Sequence, residues 1–182
     1  MTVSVKAPTS TTGSIQLNGS DVLTIDSSGN VTAPNKLIST GHVLQVVSNE
    51  HSTTTGIGSA TYVDSGITAT ITPSSASSKI LVMVSISGRT YSNSNFDRIY
   101  FINVVRNSTQ VHEVTTLTIA GVGATGYRVM PMKDIMYLDS PATTSSITYK
   151  IQFKISDITY DTRMRTNEYG GSSIMTLMEV AG

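Results

Sequence analysis

The chain has 182 residues, enough for one domain of ordinary size and a short additional segment. Its 12 basic and 12 acidic residues give a formal net charge of zero, so no basic stripe is present to bind nucleic acid. It has no cysteine and no run of about 18 apolar residues, which excludes disulfides, thiolate metal sites and a membrane-spanning helix.

Hydroxyl side chains dominate the composition. The chain has 26 Ser and 27 Thr, whereas charged residues make up 13%. Threonine and β-branched residues are abundant, strong helix formers are sparse, and Gly or Ser clusters recur at short intervals. The sequence therefore predicts an all-β protein, with a β-sandwich or jelly-roll-like C-terminal domain preceded by an extended N-terminal β arm.

Residues 1–38, which we call the arm, contain short apolar pieces separated by the turn signals Asn18-Gly19 and Ser28-Gly29-Asn30. Strands this short bury no core of their own, so we expect the arm to order against neighbouring subunits or a larger surface. A flexible tail is the alternative. The residues predicted to make these contacts are Ile15, Leu17, Val22, Leu23, Ile25 and Val31. The start, MTVSVKAPTS, lacks the features of a signal peptide, which predicts synthesis in a cytoplasm.

Residues 39–182, which we call the knob, contain longer strand patterns. Nine strands are predicted: His42–Ser48, Ala60–Val63, Ile67–Thr72, Lys79–Ser87, Arg98–Arg106, Gln110–Ile119, Lys133–Leu138, Ser146–Ile155 and Ser173–Val180. Three long connections separate some of them, at 88–97, 120–132 and 156–171. Nine strands in about 140 residues suit a sandwich or jelly roll.

The segment Gly66 to Gly88 is the clearest strand pattern in the chain. Apolar residues alternate with threonines up to Pro73, small polar residues follow, and an unbroken apolar run begins at Ile80. This pattern predicts a β-hairpin. Since Ile80 to Val84 is apolar without a break, we expect that strand to be buried on both faces.

No residue set predicts catalysis, a cofactor or a metal. Gly121 to Gly126 spells G-x-G-x-x-G, but β-branched residues and Pro131 follow where a dinucleotide site needs a helix. His112 and Glu113 are adjacent in a strand and point to opposite faces. Paired carboxylates remain open, because their separation is spatial. We therefore predict a protein that is not an enzyme.

Two of the long connections carry the mixture of aromatic, guanidinium and amide side chains that binds sugars or proteins. An ordinary polar loop or a subunit contact is the alternative. The predicted contact residues are Tyr91, Asn93, Asn95, Phe96 and Arg98 in one connection, and Tyr160, Arg163, Arg165, Asn167 and Tyr169 in another. Six methionines could fill the core or line a subunit interface: Met130, Met132, Met136, Met164, Met175 and Met178.

Four stretches carry a resemblance to a known group of proteins: SIQLNGSDVLTIDSSGNVTAPNKLI, VLQVV, the segment from Ser65 to Ser85, and the ending IMTLMEVAG. In these stretches the chain resembles small structural proteins of tailed bacteriophages, including phages of cyanobacteria and marine bacteria, of the head-decoration or short tail-fibre type. The resemblance covers most of the chain. It implies a virion component whose N-terminal segment anchors to the particle and whose β domain forms a homotrimer and projects.

The resemblance leaves the place on the particle open. A capsid decoration (cement) protein, with the arm stapling subunits of the major capsid protein or another virion protein, is favoured by the short chain and the absence of coiled-coil heptads or a repetitive shaft. The alternative is a short tail fibre that recognises a host surface glycan. A free lectin-like or glycosidase domain comes third.

Overall fold

A computed structural model describes residues 3–6, 13–17, 20–26, 28–32, 40–92, 98–118, 127–129, 133–156, 163–167 and 170–182. The chain divides into two compact units, Met1–Ser39 and Thr40–Gly182. Their boundary lies one residue after the one used above, and we keep the names arm and knob for the two units. The described residues form strands and no α-helix, so they include no helix that could cross a membrane. The prediction of an all-β fold is confirmed.

The arm forms one antiparallel sheet whose strand order follows the chain. In the turn between β3 and β4, Asp26 accepts hydrogen bonds at Oδ1 from the backbone N–H groups of Ser28 and Asn30, both at 2.9 Å. Gly29 adopts a φ of 83°, which residues with a side chain rarely reach. The turn predicted at Ser28 to Asn30 is therefore present. The strands are β1 (Val3–Lys6), β2 (Gly13–Leu17), β3 (Ser20–Ile25) and β4 (Val31–Thr32).

The described part of the knob contains twelve strands in three four-stranded sheets. They are β5 (Val43–His51), β6 (Thr55–Ile57), β7 (Val63–Ile71), β8 (Lys79–Ile86), β9 (Gly88–Ser92), β10 (Arg98–Arg106), β11 (Thr109–Thr118), β12 (Tyr127–Val129), β13 (Lys133–Asp139), β14 (Ile147–Ile155), β15 (Arg163–Thr166) and β16 (Ser173–Val180). All described pairings are antiparallel.

Two of the three sheets are halves of the same four long strands. Their orders, β13-β8-β16-β5 and β12-β9-β15-β6, match position by position, and each matched pair is consecutive in the chain. When each pair counts as one strand, eight long strands remain in the described knob. Numbered along the chain, they are arranged 6-3-8-1 in one layer and 5-4-7-2 in the other, β11-β10-β14-β7. This arrangement is that of a jelly roll.

The core lies between the two layers. Alternate residues of β14 are buried from Ile147 to Ile155, and the facing layer contributes the alternate residues of β8 from Ile80 to Ile86. The largest fully buried side chains include Tyr100, Tyr149 and Phe153. Burial of these aromatic and branched side chains supplies most of the free energy that holds the layers together.

Asp139, on β13, ties the two layers together with buried polar contacts. Its Oδ2 accepts hydrogen bonds from Arg106 Nη1 at 2.7 Å and from Tyr149 Oη at 2.6 Å, and both donors belong to the opposite layer. Its Oδ1 accepts from the Ser140 N–H at 2.9 Å. Burial and the neighbouring carboxylate raise the pKa of Tyr149, so this hydroxyl remains a donor at neutral pH.

The prediction of a β-hairpin from Gly66 to Gly88 is wrong, because its two strands do not pair with each other. Strand β7 pairs with β14, whereas β8 pairs with β13 and β16, so the connection crosses from one layer to the other. Glu179 holds that connection: its Oε1 accepts from both the N–H and the hydroxyl of Ser74, each at 2.7 Å. Gln45 Nε2 donates to Glu179 Oε2 at 2.6 Å and to the Thr72 carbonyl at 2.7 Å. The carboxylate of a residue far away in sequence therefore holds the connection between the layers. The local sequence of this connection looks the same as that of a hairpin turn.

Other expected boundaries also change. The strand predicted at Ala60–Val63 is wrong, since only Val63 of it is in a strand. Strand β7 runs from Val63 through the segment predicted at Ile67–Thr72, because the chain continues past Gly66 with a β-bulge opposite β14. The long connections predicted at 88–97, 120–132 and 156–171 contain β9, β12 and β15. The expected burial of β8 on both faces holds for one face only: Ile80, Val82 and Val84 are buried, but Leu81 and Met83 are half-buried on the outside.

Candidate functional site

The predicted contact residues of the arm lie on strands β2, β3 and β4. Ile15 on β2 and Leu23 on β3 are half-buried, whereas Ile25 on β3 and Val31 on β4 are exposed. Leu17 and Val22 occupy positions in β2 and β3. The arm thus leaves two of its apolar side chains open to solvent within its own unit.

The second candidate surface depends on a bend in the layer that contains β8 and β9. Only Ser87 separates these two strands, and polar groups hold the chain together at this point. They belong to Ser87, Asn167, Ser173, the Thr53 carbonyl and the Thr54 hydroxyl, which donates to the Asn167 carbonyl at 2.9 Å; we call them the polar junction. Asn167 has a φ of 57°; its N–H donates to the Ser87 carbonyl at 3.0 Å, and its Oδ1 accepts from the Ser173 hydroxyl at 2.7 Å. Asn167 Nδ2 donates to the Thr53 carbonyl at 3.0 Å, so the junction joins three long strands.

Gly88 is the first residue of β9, and its position has no room for a side chain. A Cβ at this position would lie 2.5 Å from the Arg165 carbonyl oxygen, which is backbone and cannot swing aside. The close approach of β9 and β15 sets the register of the sheet. Local backbone geometry therefore positions the residues that follow.

That register places residues from the two predicted connections side by side. Tyr91 on β9 pairs with Arg163 on β15 and, on its other side, with Arg128 on β12. Two residues along β9, in the next row on the same face, Arg89 pairs with Arg165, which pairs with Gly56 on β6. Four of the six arginines in the chain therefore occupy two successive rows on one face of this sheet, together with Tyr91. We call these residues the arginine-tyrosine rows. Arginine and tyrosine at neighbouring strand positions are residue types that bind carboxylate or phosphate groups on a sugar-like ligand.

The structure brings together three of the predicted contact residues, Tyr91, Arg163 and Arg165, on strands β9 and β15. A fourth, Asn167, follows β15 and is part of the polar junction. It does not add Arg98 to them, since Arg98 starts β10 in the opposite layer, where it pairs with Thr118. The predicted residues Asn93, Asn95, Phe96, Tyr160 and Tyr169 lie outside the described residues, as does the glycine run from Gly121 to Gly126.

Sequence reasoning missed two members of these rows. Arg89 alternates with Tyr91, and Arg163 alternates with Arg165, which is the spacing of residues on one face of a strand. This spacing was a usable signal for a second strand beyond Gly88. Arg128 follows a glycine-rich stretch and has no comparable local signal.

The remaining polar candidates have structural partners. His112 stacks on Tyr137 of the opposite layer with 4.8 Å between ring centroids, while the Glu113 carboxylate accepts a hydrogen bond from the Tyr62 hydroxyl on the outer face. The prediction that these neighbours point to opposite faces is confirmed. Within the described ranges, no three His, Asp or Glu side chains are grouped so as to hold a metal ion.

No family model and no curated protein matches the chain. Among solved structures, the infectious bursal disease virus VP2 subviral particle is similar at 12% identity with a TM-score of 0.40, over 94% of this chain and 42% of that chain. The structure of the Gx strain of the same virus is similar at 14% identity with a TM-score of 0.37, over 94% and 43%. This chain spans less than half the length of those chains, and both likenesses are distant.

Proposed function

We propose that this chain is a structural component of a bacteriophage virion, specifically a capsid decoration (cement) protein. Jelly rolls occur in capsid proteins, in lectins and in cupins, so the fold alone fits several roles. The observation that carries the proposal is the division of the chain: a knob with its own core follows an arm of short strands that expose Ile25 and Val31. The sequence stretches that resemble phage structural proteins support it further.

In the proposed mechanism, the arm lies across neighbouring capsid subunits and adds contacts that exist only in the assembled shell. A protein that binds the closed shell but not its separate subunits shifts the equilibrium toward the shell by mass action. Burial of the exposed apolar side chains of the arm would supply part of the binding free energy. The resemblance implies three copies in each projecting unit. The role is structural, not catalytic.

The arginine-tyrosine rows favour a second candidate, a short tail fibre that binds a host surface glycan. Guanidinium groups bind carboxylate and phosphate groups through paired hydrogen bonds, and a tyrosine ring is a surface on which a sugar can stack. The rows place both residue types at neighbouring backbone positions, which suits a glycan that carries carboxylate or phosphate groups. The decoration hypothesis places the binding surface in the arm, whereas the fibre hypothesis places it in the knob.

One experiment with two variants tests both candidates. On the decoration hypothesis, a chain that lacks residues 1–38 fails to bind capsids that are devoid of this protein, and such capsids lose their contents at lower temperature than capsids bearing the full chain. The double variant Tyr91→Ala, Arg163→Ala binds as the full chain does. Retained binding without the arm would contradict the decoration hypothesis. Loss of host adsorption in the double variant, with particle binding intact, would favour the fibre.

A further inference from the structure

The outer face of the sheet β13-β8-β16-β5 carries a cluster of large apolar side chains that no described residue of the knob covers. Side chains of one row are apolar and in register across all four strands: Leu138, Leu81, Met178 and Val46. In the next row on this face Met136 pairs with Met83, and Thr176 and Ser48 complete the row with a hydroxyl-hydroxyl hydrogen bond of 3.0 Å. Met136 is 69% exposed, Val46 53% and Leu138 49%, so this face presents large apolar side chains to solvent. We call these two rows the apolar rows.

The outer face of the opposite layer differs. There the row Glu113, Asn103, Gln152 and Asp64 crosses all four strands in register, and its members are polar. Asp64 accepts hydrogen bonds from Lys150 Nζ at 2.8 Å and from Gln152 Nε2 at 2.6 Å. Lys154 Nζ lies 4.4 Å from the ring centroids of both Tyr62 and Phe101. The outer face of one layer therefore has a polar row across all four strands, whereas the outer face of the other has an apolar row in the corresponding place.

The charges that flank the apolar rows divide between the two ends of the sheet. Asp134 and Glu50 lie in the row at one end, paired with Ser85 and Ile174. Lys79 lies at the other end, paired with Val180. A second copy related by a two-fold axis that runs in the interface, across the strands, would set the acidic end of each sheet near the lysine end of the other. A copy rotated about the strand direction would set acid against acid.

The size of the face also fits a second copy. Four strands at about 4.8 Å spacing and about eight residues at roughly 3.3 Å each give about 500 Å² for each copy. Two copies would bury about 1,000 Å², the size from which specific interfaces are found. Sheets pack face to face about 10 Å apart, a distance that leucine and methionine side chains from both sides fill.

We propose that the outer face of β13-β8-β16-β5 packs against the same face of a second copy of this chain, with the strands of the two copies running antiparallel. The pairing buries Met136 and Leu138 of both copies. It also explains why β8 carries apolar residues on both faces in sequence, although one chain fully buries only one face. If three copies also associate through their β domains, as the resemblance implies, an assembly that uses both contacts contains an even number of chains.

The first test measures the mass of the full chain in solution by sedimentation equilibrium. The wild type contains an even number of copies, and Met136→Glu or Leu138→Glu halves the mass, because a buried carboxylate in an apolar interface is strongly unfavourable. Thr115→Glu, on the outer face of the opposite layer, is the matched control and leaves the mass unchanged. Circular dichroism verifies that each variant is folded. A monomeric or trimeric wild type, or variants that keep the wild-type mass, would overturn the proposal.

A charge exchange tests the orientation of the two copies. Within one chain, Lys79 and Asp134 lie at opposite ends of the sheet, roughly 20 Å apart, so they do not contact each other. Lys79→Glu alone weakens the pairing several-fold, and adding Asp134→Lys restores it, because the exchanged charges again face opposite charges across the interface. Failure of the second substitution to restore pairing would contradict the antiparallel arrangement.

Discussion

Asp139→Ala is expected to lower the free energy of unfolding of the knob by about 3 kcal/mol. The substitution leaves the Arg106 guanidinium and the Tyr149 hydroxyl without their shared acceptor, between two layers that no longer have this polar link. The side chain of Asp139 is 6% exposed and that of Arg106 is 24% exposed, so water compensates for only part of the loss. Urea unfolding followed by circular dichroism measures the change.

Asp64→Asn is the matched control for this prediction. Asp64 also accepts from a cationic side chain, Lys150, at 2.8 Å, but it is 54% exposed and lies within one layer. An exposed ion pair of this kind contributes less than about 1 kcal/mol. If the two substitutions lowered stability equally, Asp139 would not act as a buried link between the layers.

Glu179→Gln is expected to lower the free energy of unfolding at pH 7 by about 2 to 3 kcal/mol. It is also expected to make that free energy depend less on pH in the acid range. Burial alone would raise the pKa of Glu179, but hydrogen bonds from Ser74 and Gln45 to the ionised carboxylate outweigh it and lower the pKa from 4.5 to about 2. The folded state therefore holds the carboxylate ionised more strongly than the unfolded chain does.

The direction of the pH effect follows from that difference. The stabilisation is complete above pH 4.5, where the unfolded chain is also ionised, and it is lost as the pH falls from 4.5 toward 2. Subtracting the curve of the Glu179→Gln variant from that of the wild type isolates this residue from the other carboxyl groups. Glu113→Gln, at an exposed carboxyl on β11, is the control. A wild-type curve parallel to that of Glu179→Gln between pH 2 and 4.5 would contradict the account.

The strands of the knob were largely predictable because their signal is local. Alternation of apolar and polar residues marks β7 and β14, and the structure buries the alternate residues as expected. The partners of each strand are not local: β8 pairs with β16, from the far end of the chain. For that reason the segment from Gly66 to Gly88 has the local pattern of a hairpin, yet its two strands lie in different layers.

The candidate site shows the same limit. Tyr91 and Arg163 could be proposed as contact residues by type, but their adjacency depends on the pairing of β9 with β15. That pairing depends in turn on Gly88 and Asn167, whose roles come from a close backbone approach and a positive φ. The burial of β8 on both faces was inferred from a continuous apolar run, and a single chain can satisfy that inference on one face only.

The number of copies of this protein in each virion tests the proposed function most directly. Quantitative mass spectrometry of purified particles gives that number relative to the major capsid protein. A decoration protein that staples the shell is present in a fixed proportion to the capsid subunits over the whole surface. A count of a few dozen or fewer, recovered with the tails, would contradict the decoration hypothesis.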